Sequence, residues 1–566
     1  MLFTSFSFSQ SLDKIGKKDM IKTGGGLNFS SVLYGAQGIP DRRQPFTWFL
    51  NGNLTTSIAD ISLPFIFNYS NNQISYTQPY MLQSFNPTYK WIKGYAGITS
   101  INFSQYTLAG HVFSGAGVEL TPKNLKFSAM YGRLKKAVEY DVMNSSDLTM
   151  SYKRIGFGAS AGYEKNGNGL NLIFFTSEDD PNSLTFFPIN TTVTPMQNTV
   201  ISISGKTSLY KKLKVETEYA LSGLTRSLSS PEEISTVPKN RLPHIFKPNA
   251  TSQFFDAFKS SIGYNYKLLD ISLIYERVDP GYRTLGAYYF NNDLENITIS
   301  PVLNLLKGKL NLSCNTGVQH NNLDHSKLST SKRWVGSLSA NYVPDKFWSF
   351  TGSYSNFSTF TRQRPQSDPF YQNTVDTLNF YQLSQNSSLS AGCNFGKPAN
   401  KQAMLLSINY LVTGQDQGMI SDPGILNFVS NSPLPAKVIN GNLGHTISIT
   451  KIKTTISSSI NGNYSHLTGM NTFYFGPNLN LSRSLANKTL RITIGSSYNQ
   501  VLTNSEKSNE IVNHRIAANY SPKFFNAKIG KIAMNVSASY LQKLGTNTVD
   551  NSFSEFTGNF GINYSF

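Results

Sequence analysis

No run of about 18 apolar residues occurs anywhere in the 566-residue chain, so no helix of it can cross a bilayer. Charge is scarce as well. Asp, Glu, Lys and Arg make up 14% of the residues, where soluble domains usually carry about 25%. No linker, low-complexity stretch or shift of composition divides the chain, and one texture runs from Gly24 to Phe566. The two cysteines, Cys314 and Cys393, lie far apart in sequence and are expected as free thiols on an apolar face, beside Leu312 and Phe395. Gly24 to Gly26 form a glycine run with no helix after it, which excludes a phosphate loop. The net charge is +18. Its lysines stand singly, many of them at turn-like positions such as Lys123, Lys267 and Lys488, and form no basic stripe. Nucleic acid is therefore not an expected partner.

What is present is alternation. The chain combines 39% apolar residues and 13% aromatics with abundant Asn, Ser, Thr and Gly. Such a balance arises when each strand shows one face to lipid and the other to water. The C-terminal segment shows it most clearly. Phe556, Phe560, Ile562, Tyr564 and Phe566 fall on one face, and Thr557, Asn559, Asn563 and Ser565 on the other, the period of two that a strand imposes. Ile452, Ile456, Ile460 and Tyr464 oppose Ser457, Asn461 and Asn463 in the same way, and Leu310, Leu312 and Val318 oppose Asn311, Ser313 and Asn315. Each run is about ten residues, enough for a tilted strand to cross a bilayer.

The connections alternate. Counting back from Phe566, long links are expected near 543–553, 500–511, 465–469, 413–440 and 358–384, and further back near 278–295 and 71–108. Short links are expected near Asn526, Asn487, Lys451, Lys267, Lys211, Asn166 and Lys123. Two strand-like runs, 96–103 and 283–290, break this parity and are assigned to long links. The reading is an all-β fold, a single large antiparallel transmembrane barrel of about 24 strands with short periplasmic turns and long extracellular loops. Residues 1–10 read as a residual signal-peptide segment, 11–24 as a short periplasmic segment, and 25–566 as the barrel.

A last strand of alternating aromatics ending in Phe resembles the terminal signal of Gram-negative outer-membrane barrels, here of a Bacteroidota-like, porin-like kind. The resemblance implies location in the outer membrane, contact with its lipid and lipopolysaccharide, and a barrel-assembly machinery that reads Phe556, Phe560, Ile562, Tyr564 and Phe566. An outer-membrane protein or lipoprotein partner is a further possibility it raises. With only a short stretch read before the first strand, the plug domain of a TonB-dependent transporter is not expected.

A barrel of this girth must be open, filled by its loops, or filled by a partner. Loop residues Tyr76, Tyr80, Trp91, Tyr288, Tyr289, Arg362 and Arg364 could fold inward as a constriction or form an outer binding surface. Lys206 is expected on the lumen face opposite Glu216, with Glu218 nearby, either as a wall-stabilising pair or as a setter of ion preference. Elsewhere charge is sparse at the inward positions and Asn, Ser and Thr prevail, which favours weakly selective passage of neutral solutes, or a lumen holding protein, over a strongly ion-selective pore. Glu178, Asp179 and Asp180 read as a solvated rim run. His320, His325 and Asp324 share a loop without metal-site spacing. His445 is placed on the lipid face near the outer end of its strand. No catalytic, cofactor or metal site is expected. Two functions remain open: a channel for small polar solutes, or a structural subunit of an outer-membrane complex with its lumen closed.

Overall fold

The computed structural model describes residues 21–58, 60–71, 84–139, 150–185, 193–210, 212–230, 239–288, 291–326, 332–361, 380–415, 436–467, 469–522, 530–545 and 552–566. Twenty-seven strand segments make one antiparallel sheet. It closes on itself where Ile21–Gln37 pairs with Phe553–Ser565. Closure leaves no unpaired edge, the condition for a sheet to lie in hydrocarbon.

The segments fill 26 positions in the wall. Ser84–Phe85 and Thr88–Tyr89 both lie between Ile61–Ser70 and Ile92–Ser100. They are two halves of one strand, interrupted at Asn86 and Pro87, where proline has no N–H to give the ladder. The expected count of about 24 is thus corrected by one hairpin. The run 96–103 belongs largely to the wall strand Ile92–Ser100, not to a link. Adding a whole hairpin preserves parity, so the alternation of links could not expose the omission. The other parity-breaking run holds: residues 283–288 form no wall strand.

Two links expected to be long are tight turns. Thr454–Leu467 runs into Met470–Leu485 across two residues. Leu490–Thr503 turns into Glu506–Tyr520 at Asn504 and Ser505, whose φ values are 49° and 70°. These strands have 14 to 16 residues, where a tilted strand needs about 10 to cross. The polar residues that read as loop are hairpin continuing past the apolar band. At the opposite rim, which carries both described chain ends, turns are built on residues in the left-handed region, among them Lys90, Lys123, Asn166, Lys267 and Lys453.

Register carries the two faces consistently around the ring. One face is apolar: Trp334, Leu338 and Tyr342 stand outward on one strand, and Ile456, Ile460 and Tyr464 lie on the same face of another. Aromatics gather toward the rims, with Trp334 stacked near Tyr354 at one end and Tyr342, Phe350 and Trp348 stacked at the other. This is the disposition of aromatic girdles about an apolar band. Cys314 lies opposite Leu338 and Cys393 opposite Trp348 on this outer face, and both thiols are free. His445 is also outward, stacked on Phe395 and bonded to Gln402 at 3.0 Å. It sits four residues before the end of Ala436–Ile449 at the short-turn rim, not at the far end as expected.

The closing seam explains the N-terminal glycine run. The Gly25 N–H donates to Phe566 O at 3.0 Å, and the Phe566 N–H donates back at 3.1 Å. A Cβ on Gly25 would overlap the Asn53 carbonyl oxygen, so no other residue fits there. Phe556, Phe560, Ile562 and Tyr564 lie on the outer face of the closing strand, and the Tyr564 and Phe566 rings lie 5.3 Å apart.

Candidate functional site in the barrel lumen

Two segments, 101–111 and 279–288, turn from the rim opposite the chain ends into the lumen and pack together against one side of the inner wall. Tyr106 and Tyr282 are fully buried, set edge-to-face at 6.2 Å, against Val200, Ala220, Ala257 and Val278 of the wall. Ile101, Phe103 and Leu108 pack with Tyr95, Phe113, Met130, Leu134 and Phe175. The wall is built to receive them. Gly117 and Gly158 are inner-face glycines, and a Cβ at Gly158 would lie 2.5 Å from the Phe103 ring. A Cβ at Gly117 would overlap Ile101. On the shelf itself, a Cβ at Gly286 would meet Thr107 O at 2.6 Å.

Hydrogen bonds lock the two segments to each other and to the wall. The Tyr282 hydroxyl donates to Tyr106 O at 2.8 Å and the Thr284 hydroxyl to Thr107 O at 2.6 Å. The Ala109 N–H donates to Gly286 O at 2.9 Å. The buried amide of Asn198 holds the shelf from the wall. Its Oδ1 accepts from the Leu285 N–H at 3.0 Å, and its Nδ2 donates to Arg283 O at 3.3 Å. Glu276 Oε1 accepts from the Tyr106 hydroxyl at 2.6 Å and from Gln105 Nε2 at 2.8 Å. Burial, reinforced by the Glu276 charge, lifts the Tyr106 hydroxyl well above the usual phenol range. It is a permanent donor, as is the still more deeply buried Tyr282.

His111 closes the shelf. Its ring stacks on Tyr288 with centroids 4.1 Å apart, and its Nδ1–H donates to Val112 O at 2.8 Å. Burial first, then the nearby positive charges of Arg154 and Lys135, depress its pKa to about 4. In an unfolded segment it would titrate near 6.5. The opened state therefore binds the extra proton between pH 6.5 and 4, and the shelf loses stability as pH falls through that window. The full loss is about 3 kcal/mol. Thermal melts and single-channel noise at pH 7 and pH 4.5 should show looser packing in acid, and a His111→Gln variant should abolish most of that difference.

Asp179 is not the solvated rim acid expected. Arg154 clamps it in a bidentate pair, Nε to Oδ1 at 2.7 Å and Nη2 to Oδ2 at 2.8 Å, with both side chains under 8% exposed. Its Oδ2 also accepts from the Met196 N–H at 3.0 Å. The segments around 150–153 and 193–196 cover it, a long-range effect invisible in the local run Glu178, Asp179, Asp180.

Lys206 faces the lumen and pairs in register with Glu216. Its ammonium nonetheless reaches across Gly169, the strand on its other side, to Glu164 Oε1 at 2.6 Å, while Lys126 takes Glu164 Oε2 at 2.6 Å. Glu218 accepts from the Ser202 hydroxyl at 2.8 Å. Glu164 was missed because its two partners come from strands on either side. Its interactions are half-exposed and screened by solvent, so they add little to stability. Glu164→Gln should barely move the melting temperature. It should shift the reversal potential in a salt gradient toward anions, because two lysines lose their shared counter-charge.

Of the loop aromatics, Tyr288 joins the shelf. Trp91 lies in a short turn at the rim that carries the chain ends. Tyr76, Tyr80, Tyr289, Arg362 and Arg364 lie outside the described residues. His320 bonds Glu295 at 2.9 Å, and Asp324 accepts from Ser326 at 2.8 Å.

The rest of the wall is different in kind. From residue 386 to 503, the described inner-face side chains carry charge only at Lys401 and Arg491, both near the short-turn rim. The remainder is chiefly Asn, Ser, Thr and Gly. The charges Lys126, Glu164, Lys206, Glu216, Glu218, Lys259 and Glu276 all sit on the shelf side. The lumen thus has a charged, loop-covered side and, across 386–503, an uncharged amide-and-hydroxyl wall, beyond which charge returns on the inner face at Arg515, Lys543 and Glu555.

No protein-family model matches the chain, and no curated protein matches it. Among solved structures, the chain is similar to the P pilus usher (PapC) translocation pore, at 8% identity over 96% of this chain and 99% of that one, with a TM-score of 0.36. It is similar to a mutant of the ferric enterobactin receptor PfeA from Pseudomonas aeruginosa, at 10% identity over 96% and 80%, with a TM-score of 0.42. OccAB2 from Acinetobacter baumannii matches at 8% identity over 66% and 92%, with a TM-score of 0.28.

Proposed function

We propose that this chain is a non-enzymatic outer-membrane channel for small uncharged polar solutes, narrowed on one side by the shelf and oriented with its short-turn rim toward the periplasm. The observation that carries the reading is the segregated lumen. A cluster of lumen charges shares the shelf's side, and the opposite wall from 386 to 503 offers hydrogen-bonding groups almost without charge. Amides and hydroxyls exchange hydrogen bonds with a neutral solute at little net cost, whereas a charged solute finds no counter-charge there.

Liposome swelling tests it. Proteoliposomes should admit neutral sugars of a few hundred daltons faster than acidic sugars of equal size. Equal rates for the two, or none for either, would sink the reading. A barrel subunit of a larger outer-membrane assembly is the second reading, favoured by a girth of 26 strands where 16 to 18 already leave an aqueous channel. Extraction in mild detergent separates the two: a stoichiometric partner favours the assembly, and recovery of the barrel alone removes it.

A further inference from the structure

The uncharged wall contains a shallow concavity of about 400 Å³ lined by Ser407, Asn409, Asn440, Asn442, Asn461, Asn463 and Tyr474, among others. We infer that this concavity is a binding subsite for a neutral carbohydrate chain, a substrate class that rests on the channel reading and narrows it.

Three features of the wall point there. The first is its donor and acceptor pattern. Asn442 donates to Asn461, and Asn463 donates to Asn440, across one pair of strands. On the adjacent strand pair Asn409 donates to Asn386 at 2.8 Å. Each such bond uses one N–H of one amide and one lone pair of the other. A second N–H and further lone pairs stay available at each pair, so donors and acceptors recur side by side. A sugar hydroxyl is both donor and acceptor, and vicinal hydroxyls match neighbouring amide groups.

The second feature is flatness. Beside the concavity Asn480 lies opposite Gly495. A Cβ on that glycine would overlap the Asn480 amide. The amide therefore lies down over Gly495 instead of projecting into the lumen, which keeps the wall low and polar there.

The third is the aromatic ring. The Tyr474 hydroxyl bonds Asn499. A Cβ on Gly476, two residues along the same strand, would lie 2.6 Å from that hydroxyl. Only glycine lets the ring lie along the wall over position 476. A ring held this way offers its π-face, the negative side of its quadrupole, to the lumen beside the Asn cluster. The C–H face of a pyranose packs on such a surface while its equatorial hydroxyls reach the amides. Charge would hinder this, and within the concavity there is none.

The test uses the full-length protein in detergent and, in parallel, in planar bilayers. Maltohexaose is the probe. Oligogalacturonate of the same length and polyethylene glycol of the same hydrodynamic size are the controls. Isothermal titration should show millimolar-range binding of maltohexaose, with neither control binding. Tyr474→Leu should weaken binding at least tenfold, and so should Asn442→Leu with Asn461→Leu in a second variant, each checked for folding by heat-modifiability. In bilayers the same probe should block single-channel current in the wild type only. Absent maltohexaose binding, equal binding of oligogalacturonate, or unchanged binding in both folded variants would overturn the inference. Binding without any channel current would keep the subsite and reject the channel.

Discussion

Replacing Gly158 by leucine is expected to open the lumen. The new side chain would occupy the space of the Phe103 ring, since even a Cβ would come within 2.5 Å of it. Phe103 belongs to a backbone segment tied to the wall at several points, so it cannot swing aside without dragging residues 101–111 with it. Overpacking of a fitted site costs about 1–3 kcal/mol or more. Tyr106→Ala attacks the same shelf from the other direction. It removes a fully buried ring from the cluster with Val200 and Tyr282, at a cost of about 3–5 kcal/mol, and leaves Glu276 without its phenolic donor. Both variants should give larger and noisier single-channel conductance, with easier proteolysis within 101–111. If the loop becomes protease-sensitive while conductance stays at the wild-type level, the shelf is no constriction.

Asp179→Ala should be among the most damaging single changes to stability. It strands a guanidinium in a site where Arg154 is under 8% exposed, and breaking one half of a buried pair typically costs about 3–5 kcal/mol. The Met196 N–H would lose its acceptor too. Replacing both partners, Arg154→Leu with Asp179→Leu, should recover much of that loss, because the cost lies in the uncompensated charge. Reversible denaturation of the single and double variants, read as a double-mutant cycle, decides the matter. Additive losses would mean that the pair is not coupled as its geometry requires.

The wall was legible in the sequence because a strand exposed to lipid on one face and water on the other must alternate. That constraint placed Cys314 and Cys393 outward, Lys206 and Glu216 inward and in register, and the closing strand on its aromatic face. Where alternation stops, the reading failed. The hairpin at 84–100 was hidden because one of its strands is broken by Pro87. The hairpin ends near 468 and 504 read as loops because strands that outrun the apolar band need no alternation there. The shelf could not be read from its own residues, since a loop packed inside a barrel has no period. Its seat did leave a trace. Gly115, Gly117, Gly132, Gly156 and Gly158 all fall on inner positions of neighbouring strands, and such a patch of missing side chains marks a place where something else packs. Asp179 shows the opposite problem: three acids in a row looked solvated, and only the fold brings Arg154 to the middle one.

The central claim is that the lumen is open along its uncharged wall. Single-channel recording of the wild-type protein in a planar bilayer tests it most directly. The account predicts stable conductance steps, together with small charge selectivity. Protein that is folded by heat-modifiability yet gives no steps would contradict it, and would mean that the lumen is closed along its whole circumference.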